Sequence, residues 1–136
     1  MRVVLDSNIF LSALLSPHAP PHRIYVAWRH RRFELVTSTI QIDELRRASR
    51  YPKFREILQP HTVGHMRNNL HRATIIDRLP SGYEAEDPND SWLLALADAG
   101  RADYLVTGDK RSGLLALRRV ATASIVTAAK FCETLE

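Results

Sequence analysis

The sequence lacks most of what would tie a small chain together covalently or carry it into a bilayer. Cys132 is its single cysteine, so neither an internal disulfide nor a cluster of thiolate metal ligands can form. Lying in an apolar C-terminal stretch, that thiol is expected to be a small core residue rather than a nucleophile. Long apolar runs are missing too. The longest fall far below the roughly 20 residues a membrane helix needs, so no membrane partner is expected. The opening Met1-Arg2-Val3-Val4-Leu5-Asp6 has a charge too early and an apolar run too short for a secretory signal. It is expected to form the first core strand of a cytoplasmic protein. There is no internal repeat and no low-complexity tract.

What is present suits an ordinary globular protein. Hydrophobic residues make up 45% and charged residues 25% of 136 positions, enough for one core and too few for a comfortable pair. Residues 1–136 are therefore expected to form a single domain. The net charge of +4 conceals a division along the chain. Residues 20–72 hold eleven Arg or Lys against four acids, net +7, while residues 77–109 hold two against eight, net −6. A basic stretch alone describes a solvated helix face. An acidic pocket beside a basic surface suits a polyanion whose reacting phosphate is met through cations.

Strand-like segments at residues 2–5, 34–36, 74–76, 104–106 and 124–126 alternate with helical ones, which argues for a parallel sheet covered by helices. A first helix is expected over residues 9–15, ended by Ser16-Pro17. A second runs from near Pro21 to Arg32 with Ile24, Ala27 and Trp28 on one face. Ser38 with Gln41 three residues on predicts a capping box, opening a helix to about Ser49. Residues 52–72, broken near Pro60, predict two short helices. Asp87-Pro88-Asn89-Asp90 offers an N-cap, a proline at the first helical position and an acid in the first turn. That helix should be largely buried and stop at Gly100.

Four acids stand where such a fold could gather them. Asp6 ends the first strand, Glu44 lies in the second turn of the helix after the second strand, Asp90 opens the buried helix, and Asp109 follows the fourth strand. If strands one and four are neighbours, all four can converge on one sheet edge, where open α/β sheets bind ligands. Asp103 begins the fourth strand and belongs at the opposite edge. Two unit charges about 4 Å apart repel by on the order of 4 kcal/mol at an effective dielectric of 20, so converging acids need protons, arginines or metal ions. Hard oxygen donors without clustered cysteine or histidine favour Mg²⁺ or Mn²⁺ over zinc, as one ion or two. Each acid also has a purely structural reading. Asp6 could cap the first helix, Glu44 pair with Arg47, Asp90 answer its own helix's amino end, and Asp109 sit in a turn before Lys110. Asp87 could be an N-cap, and Asp43 a surface partner of Arg46 or Arg47.

The ordered set of motifs resembles the PIN domain family, particularly the toxin-like ribonucleases of toxin–antitoxin pairs, over nearly the whole chain. It is carried by Val4-Leu5-Asp6-Ser7-Asn8, by Ser38-Thr39-Ile40-Gln41-Ile42-Asp43-Glu44-Leu45, by residues 87–97 beginning Asp87-Pro88-Asn89-Asp90, and by Asp103-Tyr104-Leu105-Val106-Thr107-Gly108-Asp109. The resemblance implies a Rossmann-like α/β/α sandwich with about five parallel strands in the order 3-2-1-4-5. It implies Mg²⁺- or Mn²⁺-dependent cleavage of single-stranded RNA, with Asp6, Glu44, Asp90 and Asp109 as the acidic quartet that holds metal. Asp87 matches a further acid of some relatives. Asn8, Ser38 and Thr107 match polar positions that orient the acids or their waters. A homodimer and a cognate antitoxin partner are implied in the same way. One departure is Ala128 after Thr127, where many relatives have proline; it does not touch the acids.

The arginines and lysines fit a backbone-tracking role: Arg46, Arg47, Arg50, Lys53 and Arg55 along the basic helices, with Lys110 or Arg111 nearer the scissile phosphate. A cleft can splay and stack unpaired bases, whereas an A-form duplex hides their edges. Trp28 and Tyr51 are stacking candidates, Trp28 being the better core residue. Two rivals remain at this level. An aspartate-nucleophile phosphatase also begins with a strand ending in Asp, but typically has a second acid two residues on, where this chain has Asn8. A noncatalytic RNA-binding or partner-binding protein of the same fold is the other.

Overall fold

Val3, Val4 and Leu5 are all fully buried, and because successive strand residues face opposite ways, both faces of their sheet must be covered. A computed structural model of the protein describes residues 1–108 and 113–136, the side chain of Lys53 excepted. Its strands are β1 (Arg2–Leu5), β2 (Glu34–Thr37), β3 (Thr74–Ile75), β4 (Tyr104–Thr107), β5 (Arg119–Val120) and β6 (Ala123–Thr127). They lie in the order β3-β2-β1-β4-β6-β5. Every neighbouring pair is parallel except β5 and β6. The parallel strands thus follow the expected 3-2-1-4-5 order with β6 in fifth place. The sheet has six strands rather than five, because two-residue β5 is too short to show a pattern and pairs only through a tight turn containing Ala121 at φ 51°.

Helices α1 (Ser7–Leu15), α2 (Pro20–Arg29), α3 (Thr39–Ala48), α4 (Pro52–Arg55), α5 (Pro60–Leu70), α6 (Ser91–Ala99), α7 (Leu114–Leu117) and α8 (Ala128–Leu135) complete the described elements. On one face Val3, Leu5, Leu35 and Val106 pack with Phe10, Ile24, Leu45, Leu70 and Phe131. On the other, Val4, Val36, Leu105 and Ile125 pack with Leu93, Leu96, Ala97 and Leu114. These two layers make the α/β/α sandwich. Gly100 ends α6 where a Cβ would lie 2.7 Å from Val36 Cγ1, so the helix can approach the sheet only without a side chain there.

Several local expectations shift. α1 begins at Ser7, two residues early, because Asp6 is its N-cap. The second helix ends at Arg29 rather than Arg32, and Arg31 takes a left-handed φ of 58°. The helix expected from Pro88 opens as a 3-10 turn, Pro88–Asp90, before α6. Trp28 is buried, meeting Tyr25 edge-on at 5.7 Å between centroids. Tyr51 is 58% exposed, so of the two stacking candidates it alone offers a ring face to solvent. Cys132 is buried, and that burial pushes its thiol pKa up, as suits a core residue.

The expected capping box does not form. Ser38 caps α3 by accepting from Ile40 N at 3.3 Å, but Gln41 turns inward and is fully buried. Its amide nitrogen donates to Leu5 O at 2.6 Å and to Ser7 Oγ at 3.4 Å, and its amide oxygen accepts from Thr37 Oγ1 at 2.5 Å. Position N3 of a helix faces the core as readily as the cap, and here the end of β1 offers a buried carbonyl needing a donor. Gln41→Leu keeps the volume and orphans these groups. We expect it to destabilise the fold by about 1–3 kcal/mol per unsatisfied group, read as a lower urea midpoint; an unchanged midpoint would contradict the role given to Gln41.

Candidate active site at the carboxyl edge of the sheet

The chain winds outward from β1 through β2 to β3, then crosses to β4 on the other flank of β1. The strand order therefore reverses between β1 and β4, and crevices form beyond the carboxyl ends of such strands. Asp6 is the first residue past β1. Its N–H donates to Val106 O at 2.8 Å, continuing the β1–β4 register. One carboxylate oxygen, Oδ2, accepts from Thr107 Oγ1 at 3.0 Å; the other, Oδ1, accepts from Asn8 N at 3.2 Å. Asp6 is 6% exposed and Thr107 fully buried. The capping reading of Asp6 is thus correct and incomplete, since the same carboxylate is tied to the neighbouring strand.

Glu44 lies one turn beyond Gln41 on α3, and so on the same face. Its carboxyl is held above the ordinary range. Burial is the largest cause, followed by the charges of Asp6 and Asp90; Arg47 and a hydrogen bond from Ser7 act in the opposite direction. Acids from the end of β1, from α3 and from the turn before α6 therefore share one electrostatic field. Ser7 accepts from Gln41 and donates to Glu44, which links Thr37, Gln41, Ser7 and Glu44 in one polar chain. The sequence alone does not single out Ser7 or Thr37, and it predicts a capping role for Gln41 in place of the buried one. The available signal was position: Ser7 adjoins Asp6, and Gln41 precedes Glu44 by one turn.

The remaining expected residues fall in several places. Asp90 is half-buried at the head of α6, within the field of Glu44. Asp87 is exposed and accepts from Asn89 N at 3.0 Å as an N-cap. The Ser38 hydroxyl lies 3.4 Å from Asp77 Oδ1 and caps α3. Thr39 also donates twice to Asp77, whose pKa these bonds lower. Asp103 accepts from Arg2 N at 2.8 Å at the opposite edge, as expected. Arg46, Arg47, Arg50 and Arg55 are exposed, and no ion pair among the described residues takes any of them or Asp43. Asp109, Lys110 and Arg111 lie outside the described residues, as does the Lys53 side chain. Beside the acids opens a cavity of about 770 Å³, lined in part by Asn8, Glu44, Arg47, Tyr51, Asn89 and Trp92.

Among the described residues no group of three His, Cys, Asp or Glu is arranged to hold a metal ion, and Asp109 is not among them. The donor chemistry nevertheless fits a hard divalent cation. Asp6, Glu44 and Asp90 supply carboxylate oxygen only, and a cation would offset both the burial and, to a smaller extent, the charges of Asp6 and Asp90 that hold the Glu44 pKa up.

A doubly wound sheet with acids at its reversal point defines a recognised class of α/β domain. A PIN domain family model matches residues 2–111, and the chain belongs to that family. PIN domains are generally nucleases, so the coarse class is a hydrolase. Among solved structures, the chain is similar to one in the crystal structure of VapBC2 from Rickettsia felis bound to a DNA fragment from their promoter. The likeness has a TM-score of 0.56 at 18% identity, covering 93% of this chain and 98% of that one, and establishes the fold. No curated protein matches the sequence. No helix among the described residues is long and apolar enough to cross a membrane.

Because folding raises the pKa of Glu44, the folded state holds its proton to higher pH than the unfolded chain. Its charge therefore opposes folding, and stability is lost as pH rises from the ordinary value of 4.5 through the elevated one. In EDTA, Glu44→Gln should raise Tm at pH 8, with the gap to wild type closing below pH 4.5. A lower Tm for the variant at pH 8 would contradict the crowding of acids around Glu44.

Proposed function

We propose that residues 1–136 act as one nuclease domain, a metal-dependent endoribonuclease that hydrolyses phosphodiester bonds of single-stranded RNA. The observation that carries this reading is the shared field of Asp6, Glu44 and Asp90 at the sheet's reversal point. Asp109, next after Gly108 at the end of β4, is the fourth acid by sequence position. These residues would hold Mg²⁺ or Mn²⁺, with Asp87 as a further acid nearby. Such a cation supplies Lewis-acid polarisation of the phosphodiester and acidifies a water.

The chain's own groups do the positioning. The Thr107 hydroxyl and Asn8 N–H fix the two oxygens of Asp6, and Ser7, held by Gln41, favours the ionised form of Glu44. These three bonds leave the carboxylates ready to bind a cation without first finding a rotamer. Exposed Arg46, Arg47, Arg50 and Arg55 offer guanidinium groups to an RNA backbone, with Lys53, Lys110 and Arg111 as further cations by sequence. The fold neighbour drawn from VapBC2, a toxin–antitoxin complex, supports reading the protein as a toxin with a cognate antitoxin; its work as a cytoplasmic homodimer is the part of the proposal that rests on the sequence and the family resemblance alone.

Incubation with labelled single-stranded RNA tests the proposal. Cleavage should need Mg²⁺ or Mn²⁺, stop in EDTA, and fall at least 100-fold in Asp6→Asn and in Asp90→Asn. Undiminished cleavage in EDTA, or in both variants, would sink it. RNA binding without cleavage by any form would favour a noncatalytic protein, and a trapped aspartyl-phosphate on Asp6 would favour a phosphatase.

A further inference from the structure

The cavity beside the acids has walls that phosphate chemistry does not require. Tyr51, Phe54 and Trp92 line it together with Ile40, Arg47 and Asn89. Among the described residues only six large hydrophobic side chains are exposed, and two of them, Ile40 at 40% and Tyr51 at 58%, line this one cavity. Phe54 and Trp92 are half-buried. One exposed tyrosine would need no explanation, but Tyr51, Phe54, Trp92 and Ile40 gathered around one cavity suit an occupant with a flat apolar surface. The cavity is also lined by Glu44 and by Asn8, whose N–H is bonded to Asp6, so whatever fills it lies directly against Glu44.

We propose that this cavity is a nucleobase-binding site, holding an unstacked base of single-stranded RNA next to the phosphate that faces Asp6, Glu44 and Asp90. It rests on the ribonuclease reading for the identity of the strand and adds to it the residues that grip the base. Aromatic side chains accept any base on their π-face, which suits Tyr51 and Trp92 as walls. Arg47, exposed on the same rim and one turn beyond Glu44, meets the adjoining phosphate. Asn89 is exposed in the middle of the 3-10 turn. Its side-chain amide, a donor and an acceptor together, can pair with a base edge, which makes Asn89 the discriminating residue. A volume of about 770 Å³ lies within the range of small-molecule pockets. An A-form duplex could not place a base there without unpairing, so the site selects single strands.

The test is binding in EDTA, which separates the base site from catalysis. Random-sequence RNA decamers carrying 2-aminopurine at one fixed position are titrated with wild-type protein, Tyr51→Ala, Tyr51→Phe, Asn89→Ala and, as a control, Ile57→Ala. Ile57 is exposed and does not line the cavity. Stacking should quench the fluorophore in wild type, Tyr51→Phe and Ile57→Ala. Tyr51→Ala should lose the quench and bind at least fivefold more weakly. Asn89→Ala should keep the quench, while unlabelled decamers carrying A, C, G or U at that position should compete for it with more nearly equal affinities than they do against wild type. If Tyr51→Ala matches wild type in both quench and affinity, the cavity is not a base site and its apolar lining serves another occupant, such as a protein helix. Quenching by a protein that never cleaves RNA would sink the nuclease reading and leave the base site standing. Cleavage without any quench would do the reverse.

Discussion

A carboxylate buried at the end of the central strand is the constraint to which the rest of the structure answers. Asp6 is 6% exposed, and a charge at that depth is tolerated only when hydrogen bonds replace its water. Thr107 from β4 and the Asn8 N–H at the start of α1 supply them. The fold then adds Glu44 and Asp90 to the same field. That second step opposes stability, and the two apolar layers on either face of the sheet have to offset it.

The contrast between the two edges of the sheet makes the same point. At the amino edge, Asp103 accepts from Arg2 N and Glu34 pairs with the Arg2 guanidinium at 2.8 Å, so acids there are matched with donors that settle them. At the carboxyl edge, Glu44 is partly buried and meets other acids, and its pKa rises through that burial first and through the charges of Asp6 and Asp90 second. Acids neutralised by partners describe architecture; acids gathered against their own repulsion describe a place for a cation and an anion together. The polar chain from Thr37 through Gln41 and Ser7 to Glu44 ties this edge to the core. It makes the position of one acid depend on the end of β1.

Much of this was legible in the sequence, for physical reasons. Strand-like segments such as Val3-Val4-Leu5 alternate with helical ones, so a parallel sheet covered by helices followed from them, and with it the placing of Asp6 and Asp103 at opposite edges. Trp28 and Cys132 were readable as core from their apolar surroundings. What escaped notice were features without period or length. β5 has two residues, too few for any alternation. Gln41 fits a capping signature and a buried bridge equally well, and only the carbonyl of Leu5, brought near by packing, decides between them. Ser7 looks like any first-turn serine until Glu44 is beside it. The cavity's aromatic walls come from Tyr51 and Phe54 at α4 and from Trp92 on α6, two segments that only the fold brings together.

The central claim is that Asp6, Glu44 and Asp90 crowd together to hold a divalent cation, and direct titration of Mn²⁺ followed by its electron paramagnetic resonance signal tests it most directly. The account predicts that wild-type protein binds Mn²⁺ and that Asp6→Asn and Glu44→Gln each weaken binding at least tenfold while remaining folded. Equal Mn²⁺ affinity in wild type and Asp6→Asn would contradict it.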